Sequence, residues 1–156
     1  MARFRVTLDV HAPATRTWAV LVDWSKHGDW APLTVVRITT ARPDGIGAGF
    51  VARTGIGPLA FDDPMTVEQW QPPAGDDPAD TPGRCTVAKH GRVIHGTAWF
   101  DVLPLPGRRS RVVWHEDVTV TPERVTRYVA PLLSLAGKVG FAQTLRAMAR
   151  EAERPQ

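Results

Sequence analysis

The stretch V-H-A-P-A-T-R-T-W-A-V-L-V-D-W-S-K-H-G-D-W, from Val10 to Trp30, decides the architecture of this chain. It is entered from a strand. Over residues 3–11, Phe4, Val6, Leu8 and Val10 alternate with Arg3, Arg5, Thr7, Asp9 and His11, as in a half-buried strand. Pro13 then stands where a helix can begin, because its missing N–H costs nothing in a first turn. Trp18, Leu21 and Val22 give that short helix an apolar face. Asp23 or Ser25 is placed to cap a second short helical piece that ends near Trp30-Ala31-Pro32.

Beyond this segment the pattern turns to β. Residues 34–40 are rich in β-branched side chains, and A-R-P-D-G-I-G-A-G reads as a turn. Strands are expected at Phe50–Thr54, Met65–Gln71, Arg84–His90, Val93–Leu103 and Arg111–Val120, with an exposed loop over residues 72–83. Then the period changes. Thr121 is expected to cap a long C-terminal helix with Pro122 at its first position, and Pro131 to kink that helix or mark its true start. Its apolar stripe is Val125, Val129, Leu132, Leu133, Ala136, Val139, Phe141, Leu145, Met148 and Ala152, with Arg124 and Arg127 off it. Gly137 and Gly140 weaken the helix or allow close approach to the sheet.

Composition excludes several classes. At 156 residues the chain is the size of one domain, and 43% hydrophobic with 22% charged residues describes a folded chain. No apolar run reaches the roughly 18 residues a membrane span needs, so stable membrane insertion is not expected. The start, M-A-R-F-R-V-T-L-D-V, has no apolar segment of a signal peptide, and the expected location is cytoplasmic. Net charge is +3 but the basic residues are scattered; Arg108, Arg109 and Arg111 read as a solvated hairpin tip, and no nucleic-acid partner is expected. Cys85 is the single cysteine and reads as a small buried apolar residue.

Strong catalytic patterns are missing. Gly45-Ile46-Gly47-Ala48-Gly49 lacks dinucleotide-fingerprint spacing, and Gly55-Ile56-Gly57-Pro58 lacks the Lys-Ser or Lys-Thr of a phosphate loop. No serine lies in G-x-S-x-G. His90 and His95, or His115 with Asp117, give no three-ligand set, so neither metal nor cofactor is expected. The carboxylates are the better acid–base candidates. Asp62 and Asp63 precede Pro64 and read as a turn or cap pair unless they reach a site. Glu116 shares a strand face with Val112, Trp114 and Val118; the favoured phase buries that face, and the opposite one buries Val113, His115 and Asp117. A buried Glu116 is either an acid–base group or a structural one bonded to Arg53, Arg92 or His95. On the neighbouring strand Ile94, Gly96, Ala98, Phe100 and Val102 form an apolar face with room at the glycine, and His95, Thr97, Trp99 and Asp101 a mixed one.

The order and spacing of V-H-A-P-A-T-R-T-W-A-V-L-V-D-W (10–24), D-G-I-G-A-G-F (44–50), M-T-V-E-Q-W (65–70) and S-R-V-V-W-H-E (110–116) before a terminal helix resemble the START-like, Bet v 1-like superfamily, most of all its bacterial polyketide cyclase/dehydrase-type branch. The resemblance spans residues 1–156 as one domain. It implies an α+β helix-grip fold: a curved antiparallel sheet of about six to seven strands wrapped round a long C-terminal helix, with two short helices after the first strand. It also implies a cavity between sheet and helix. Its expected lining is Trp30, Phe50, Phe61, Met65, His95, Trp99, Trp114, Glu116, Leu132, Phe141 and Leu145, with Trp99 and Trp114 ahead of the helix anchors Trp18 and Trp24. The superfamily holds lipid carriers, hormone receptors, cyclases, aromatases and cochaperone-like modules. Three readings follow. One is a carrier or sensor of a hydrophobic small molecule (a lipid, polyketide or aromatic compound). Another is a polyketide cyclase, aromatase or dehydratase using Glu116, Asp62 or Asp63, and His90 or His95. The last is a protein-interaction module with a filled interior. The chain is expected to be a monomer or a homodimer.

Overall fold

The structure, a computed structural model, describes residues 1–155, and for residues 123–130 and 133 it describes the backbone alone. Strand β1 (Ala2–Val10) leads into helix α1 (Ala14–Leu21), a 3-10 turn (Trp24–Lys26) and helix α2 (His27–Trp30). Strands β2 (Thr34–Ile38), β3 (Gly49–Thr54), β4 (Phe61–Gln71), β5 (Gly83–His90), β6 (Ile94–Leu105) and β7 (Arg109–Val120) follow, and helix α3 (Glu123–Glu153) ends the fold. The seven strands form one antiparallel sheet in the order β1-β7-β6-β5-β4-β3-β2. No described helix is long and apolar enough to cross a membrane.

Alternation fixes which face of the sheet is inside. On β7, Ser110, Val112, Trp114, Glu116 and Val118 are buried; on β6, Ala98, Phe100 and Val102. Trp114 stacks on Phe100 at 4.8 Å, and Phe100 meets Trp18 of α1 at 5.6 Å. The opposite face of the same strands carries Trp99, stacked on His115 at 4.7 Å. Helix α1 is fastened to β7 by buried hydroxyls: Thr17 Oγ1 lies 2.7 Å from Ser110 Oγ, which donates to the carbonyl of Ala12. Cys85 is fully buried, and burial pushes its thiol up to about 12.

Several sequence expectations are corrected. Asp62, Asp63 and Pro64 lie inside β4 rather than in a turn, so the two carboxylates point to opposite faces. Pro64 is tolerated there because β4 pairs with β5 only from Met65 onward. Helix α3 begins at Glu123 with Pro122 at its N-cap, and it continues through Pro131. The hydroxyl of Thr121 does not cap the helix; it donates to the carbonyl of Arg92. Asp23 precedes the 3-10 turn without a capping bond, and its carboxylate accepts from Ser25 instead. At Gly96 there is no spare room. Its φ is +139°, and a Cβ there would meet the carbonyl oxygen of Asp117 at 2.3 Å.

The apolar stripe of α3 divides in two. Leu145, Met148, Ala149 and Ala152 are buried against the sheet and α1. Leu132, Leu135 and Val139 are exposed, at 65%, 58% and 52%. The side chains of Arg124, Val125, Arg127, Val129 and Leu133 lie outside the described residues, as does Gln156.

The two faces of β6 predict unequal costs for neighbouring aromatics. Phe100→Ala should destabilise the protein by about 3–5 kcal/mol, as for a fully buried ring. Trp99→Ala should cost no more than about 2 kcal/mol, since its ring stacks outside the core. Guanidinium unfolding of both variants checks this; equal losses would contradict the assigned faces.

Candidate functional site

A cavity of about 360 Å³ separates α3 and the sheet. The helix contributes Ala136, Gly137, Gly140, Phe141, Thr144 and Met148 to its lining. Gly137 sits so close to Phe4 of β1 that a Cβ would lie 2.8 Å from the ring, and Gly140 borders the cavity with no atom within 4 Å of a Cβ position. The walls are largely aromatic. Trp24 stacks on Phe50 at 4.5 Å with 12° between the rings, and Trp114 meets Phe141 at 4.6 Å. The volume falls within the roughly 300–1,000 Å³ of small-molecule sites.

One part of this wall is charged. Lys89 Nζ lies 2.7 Å from Asp63 Oδ2 and 3.9 Å from Glu116 Oε2, and all three side chains are at most 12% exposed. The indole N–H of Trp114 donates to Glu116 Oε1 at 3.1 Å. Strand register explains how they meet. Met65 pairs with Lys89, which places Asp63 diagonally opposite the lysine. Between β5 and β7, strand β6 offers only Gly96 and Ala98 on the inner face, so nothing bulky keeps Lys89 from Glu116.

The electrostatics follow from burial. Desolvation pushes the Glu116 carboxyl up; Lys89 and the Trp114 N–H oppose this, and the nearby Asp63 adds to it. Burial alone would lower the Lys89 ammonium, but Glu116 and Asp63 together outweigh it and the net shift is upward. The cluster is thus an ammonium held charged by two neighbouring carboxyl groups, in closest contact with Asp63, beside a Glu116 carboxyl raised by burial. His27 of α2 also lines the cavity. Its Nε2 lies 2.8 Å from the carbonyl oxygen of Leu21. Burial pushes its pKa down to about 4, against the raising effects of that bond and of Asp23 and with some help from Lys89.

Of the residues expected at a site, the structure brings Phe50, Met65, Trp114, Glu116, Phe141 and Asp63 together on the cavity wall. It places the others elsewhere. Asp62 faces out and pairs with Arg53 at 3.0 Å. His90 and His95 face each other across the β5–β6 pairing, away from the cavity, and Trp99 is on the outer face. Leu145 is packed in the solid core below, Leu132 is exposed, and Phe61 and Trp30 are half-buried beyond the lining. Sequence reasoning missed Trp24, His27 and Lys89. The lysine was detectable: Cys85, Val87 and Lys89 are in one alternating phase, so burying the first two turns the third inward. Glu116 meets this lysine rather than Arg53, Arg92 or His95. Among the described residues, no three His, Cys, Asp or Glu side chains are grouped to hold a metal ion.

No family model matches the sequence, and no curated protein does. Solved structures match its fold over nearly the whole chain. The Zhui aromatase/cyclase from Streptomyces sp. R1128 superposes with a TM-score of 0.69 at 18% identity, covering 97% of this chain and 93% of that one. A START superfamily protein from Mycobacterium smegmatis gives 0.72 at 17% identity, over 97% and 99% of the two chains. Truncated norcoclaurine synthase from Thalictrum flavum gives 0.65 at 16% identity, over 99% and 94%. Together with the seven-stranded sheet around α3, these matches define the class: the helix-grip fold of START-like and Bet v 1-like proteins.

A pH dependence of stability follows from His27. Its folded pKa is lowered, so between about 6.5 and 4 the unfolded chain takes up a proton that the folded chain refuses, and stability falls as pH falls. Glu116, with its pKa raised, works in the opposite sense and loses stability as pH rises. The His27 share is isolated by His27→Gln. Relative to that variant, the wild type should lose about 2 kcal/mol between pH 7 and pH 4.5. Denaturant unfolding at the two pH values measures it, and an unchanged difference would contradict a neutral His27.

Proposed function

We propose that this protein binds a hydrophobic small molecule, of lipid, polyketide or aromatic type, in the cavity between the sheet and α3, as a carrier or sensor. The observation that supports this most is the cavity itself: about 360 Å³, walled by Trp24, Phe50, Trp114 and Phe141. A protein-interaction module needs no such space, and its interior would be filled. The fold shared with an aromatase/cyclase and a START superfamily protein is in keeping with a cavity binder. The proposed setting is the cytoplasm.

One observation favours a second reading, an enzyme of the cyclase, aromatase or dehydratase kind. Asp63, Lys89 and Glu116 converge on the same wall. A carboxyl whose pKa is raised by burial can hand a proton to a ligand carbonyl oxygen and take one back, while the aromatic walls fix the folding of a flexible chain. In that reading Glu116 is the proton donor, and Lys89 with Asp63 sets its charge state. Glu116→Gln would then abolish turnover while leaving ligand affinity nearly intact.

The mouth offers a direct test of binding. Gly140 is exposed at the border of the cavity, and a Cβ there would meet no atom within 4 Å, so a side chain can be set at this edge without a backbone clash. Replacing a helical glycine also favours α3 by up to about 1 kcal/mol. Gly140→Phe should preserve the fold by circular dichroism and weaken binding of an uncharged fluorescent probe such as N-phenyl-1-naphthylamine at least about tenfold, or about 1.4 kcal/mol. Failure of the wild type to bind, or equal binding by the variant, would overturn the proposal.

A further inference from the structure

Strand β1 is the outermost strand of the sheet. It pairs with β7 along its nine residues, and its other edge has no strand beside it. A groove of about 710 Å³ runs along that edge, between β1 and α3. It is separate from the cavity under α3, since no residue lines both. Residues of both alternating phases of β1 border it: Arg3 and Arg5 from the outer face, Phe4 and Val6 from the inner one. The groove is therefore centred on the edge of the strand, where the N–H and C=O groups of every second residue point away from β7.

The charge of the groove is one-sided. Arg3, Arg5, Lys138 and Arg146 line it, and no aspartate or glutamate does. Elsewhere on the outer face of the sheet arginines are matched: Arg84 with Asp101, Arg111 with Asp9 and Arg53 with Asp62. In the groove Arg3 meets Asp117, but Arg5, Lys138 and Arg146 form no ion pair among the described residues. Charges on an edge strand commonly keep copies of a chain from pairing there. That accounts for Arg3 and Arg5. It does not account for Lys138 and Arg146, which come from α3 and line the same groove. A second copy brought edge to edge would carry the same four cations and be repelled, whereas an acidic chain is attracted. The apolar lining adds a pattern. Phe4 lies on the inner side of the edge, and Leu135 of α3 is 58% exposed beside it. A strand added to β1 turns alternate side chains to the two faces. Acidic side chains in the outer phase would meet Arg3 and Arg5, and apolar ones in the inner phase would meet Phe4 and Leu135.

We propose that the free edge of β1 receives an extended segment of a partner protein, alternating acidic and apolar residues, as an added strand of the sheet. This inference is independent of what the cavity binds.

Fluorescence anisotropy at pH 7 tests it with a labelled eight-residue peptide of alternating glutamate and valine. Three probes of similar length serve for comparison: alternating lysine and valine, alternating glutamate and proline, and oligothymidylate. The proline peptide keeps the acidic charge and removes every second N–H. The glutamate–valine peptide should bind at least about tenfold tighter than each of the others. Arg5→Glu combined with Lys138→Glu should weaken it at least about tenfold with the circular dichroism unchanged. Lys26→Glu combined with Arg37→Glu, an equal change of charge near the opposite sheet edge, should leave it within about twofold. Absence of binding would overturn the proposal, as would equal loss in the two double variants. Equal binding of the proline peptide would show attraction by charge without strand addition and overturn it too. Tighter binding of oligothymidylate, or a dimer of the protein that the peptide dissociates, would assign the edge to nucleic acid or to a second copy and equally overturn it.

Discussion

A long helix, joined by the short α1, has to cover the inner face of a seven-stranded sheet, and the cavity depends on how unevenly it does so. The C-terminal half of α3 presents Leu145, Met148, Ala149 and Ala152, which close against β1, β7 and α1. Each large apolar side chain so buried contributes about 1.5–3 kcal/mol. Further toward its N-terminus, the helix lines the cavity with Ala136, Gly137, Gly140 and Phe141, while Leu132, Leu135 and Val139 are exposed. Phe4 takes the close approach at Gly137 and the cavity opens beside it. Met148 belongs to both regions, buried in the core and lining the floor of the cavity.

The second consequence concerns charge. A sheet interior ordinarily excludes lysine and carboxylates unless they are paired. Asp63, Lys89 and Glu116 are tolerated because strand register puts them within reach of one another, and because Gly96 and Ala98 leave the path between β5 and β7 clear. The balance is nonetheless incomplete. Two acidic groups share one base, and Asp63 Oδ1 and Trp24 Nε1 have no partner in the protein.

The fold was legible in the sequence because its signals are local. Alternation from Phe4 to Val10, the Pro13 helix start and the turn carrying Asp44-Gly45 each depend on a few neighbouring residues. The inward phase of β7 was legible too, through Val112, Trp114 and Glu116. The site was less so, since its members are joined across strands rather than along them. Lys89 meets Glu116 through the pairing of three strands, and no spacing in the sequence encodes that meeting. Trp99 lies on the outer face because His95, Thr97 and Asp101 share its alternating phase, and one large ring does not turn a polar phase inward. Asp62 and Asp63 looked like a turn pair beside Pro64, and only the length of β4 separates their directions. The exposed half of the α3 stripe shows the same limit: apolar spacing tells which residues share a helix face, while the position of the sheet tells which part of that face is covered.

We propose that the cavity beneath α3 receives a hydrophobic ligand beside Trp24 and Trp114. The most direct measurement is a two-dimensional nitrogen–proton NMR titration with 2-naphthol that follows the indole N–H signals of the six tryptophans. The signals of Trp24 and Trp114 should move together and saturate at one stoichiometry, while that of Trp99, on the outer face, stays in place. Movement of Trp99 with Trp24 and Trp114 unchanged, or no saturable movement at all, would contradict the account.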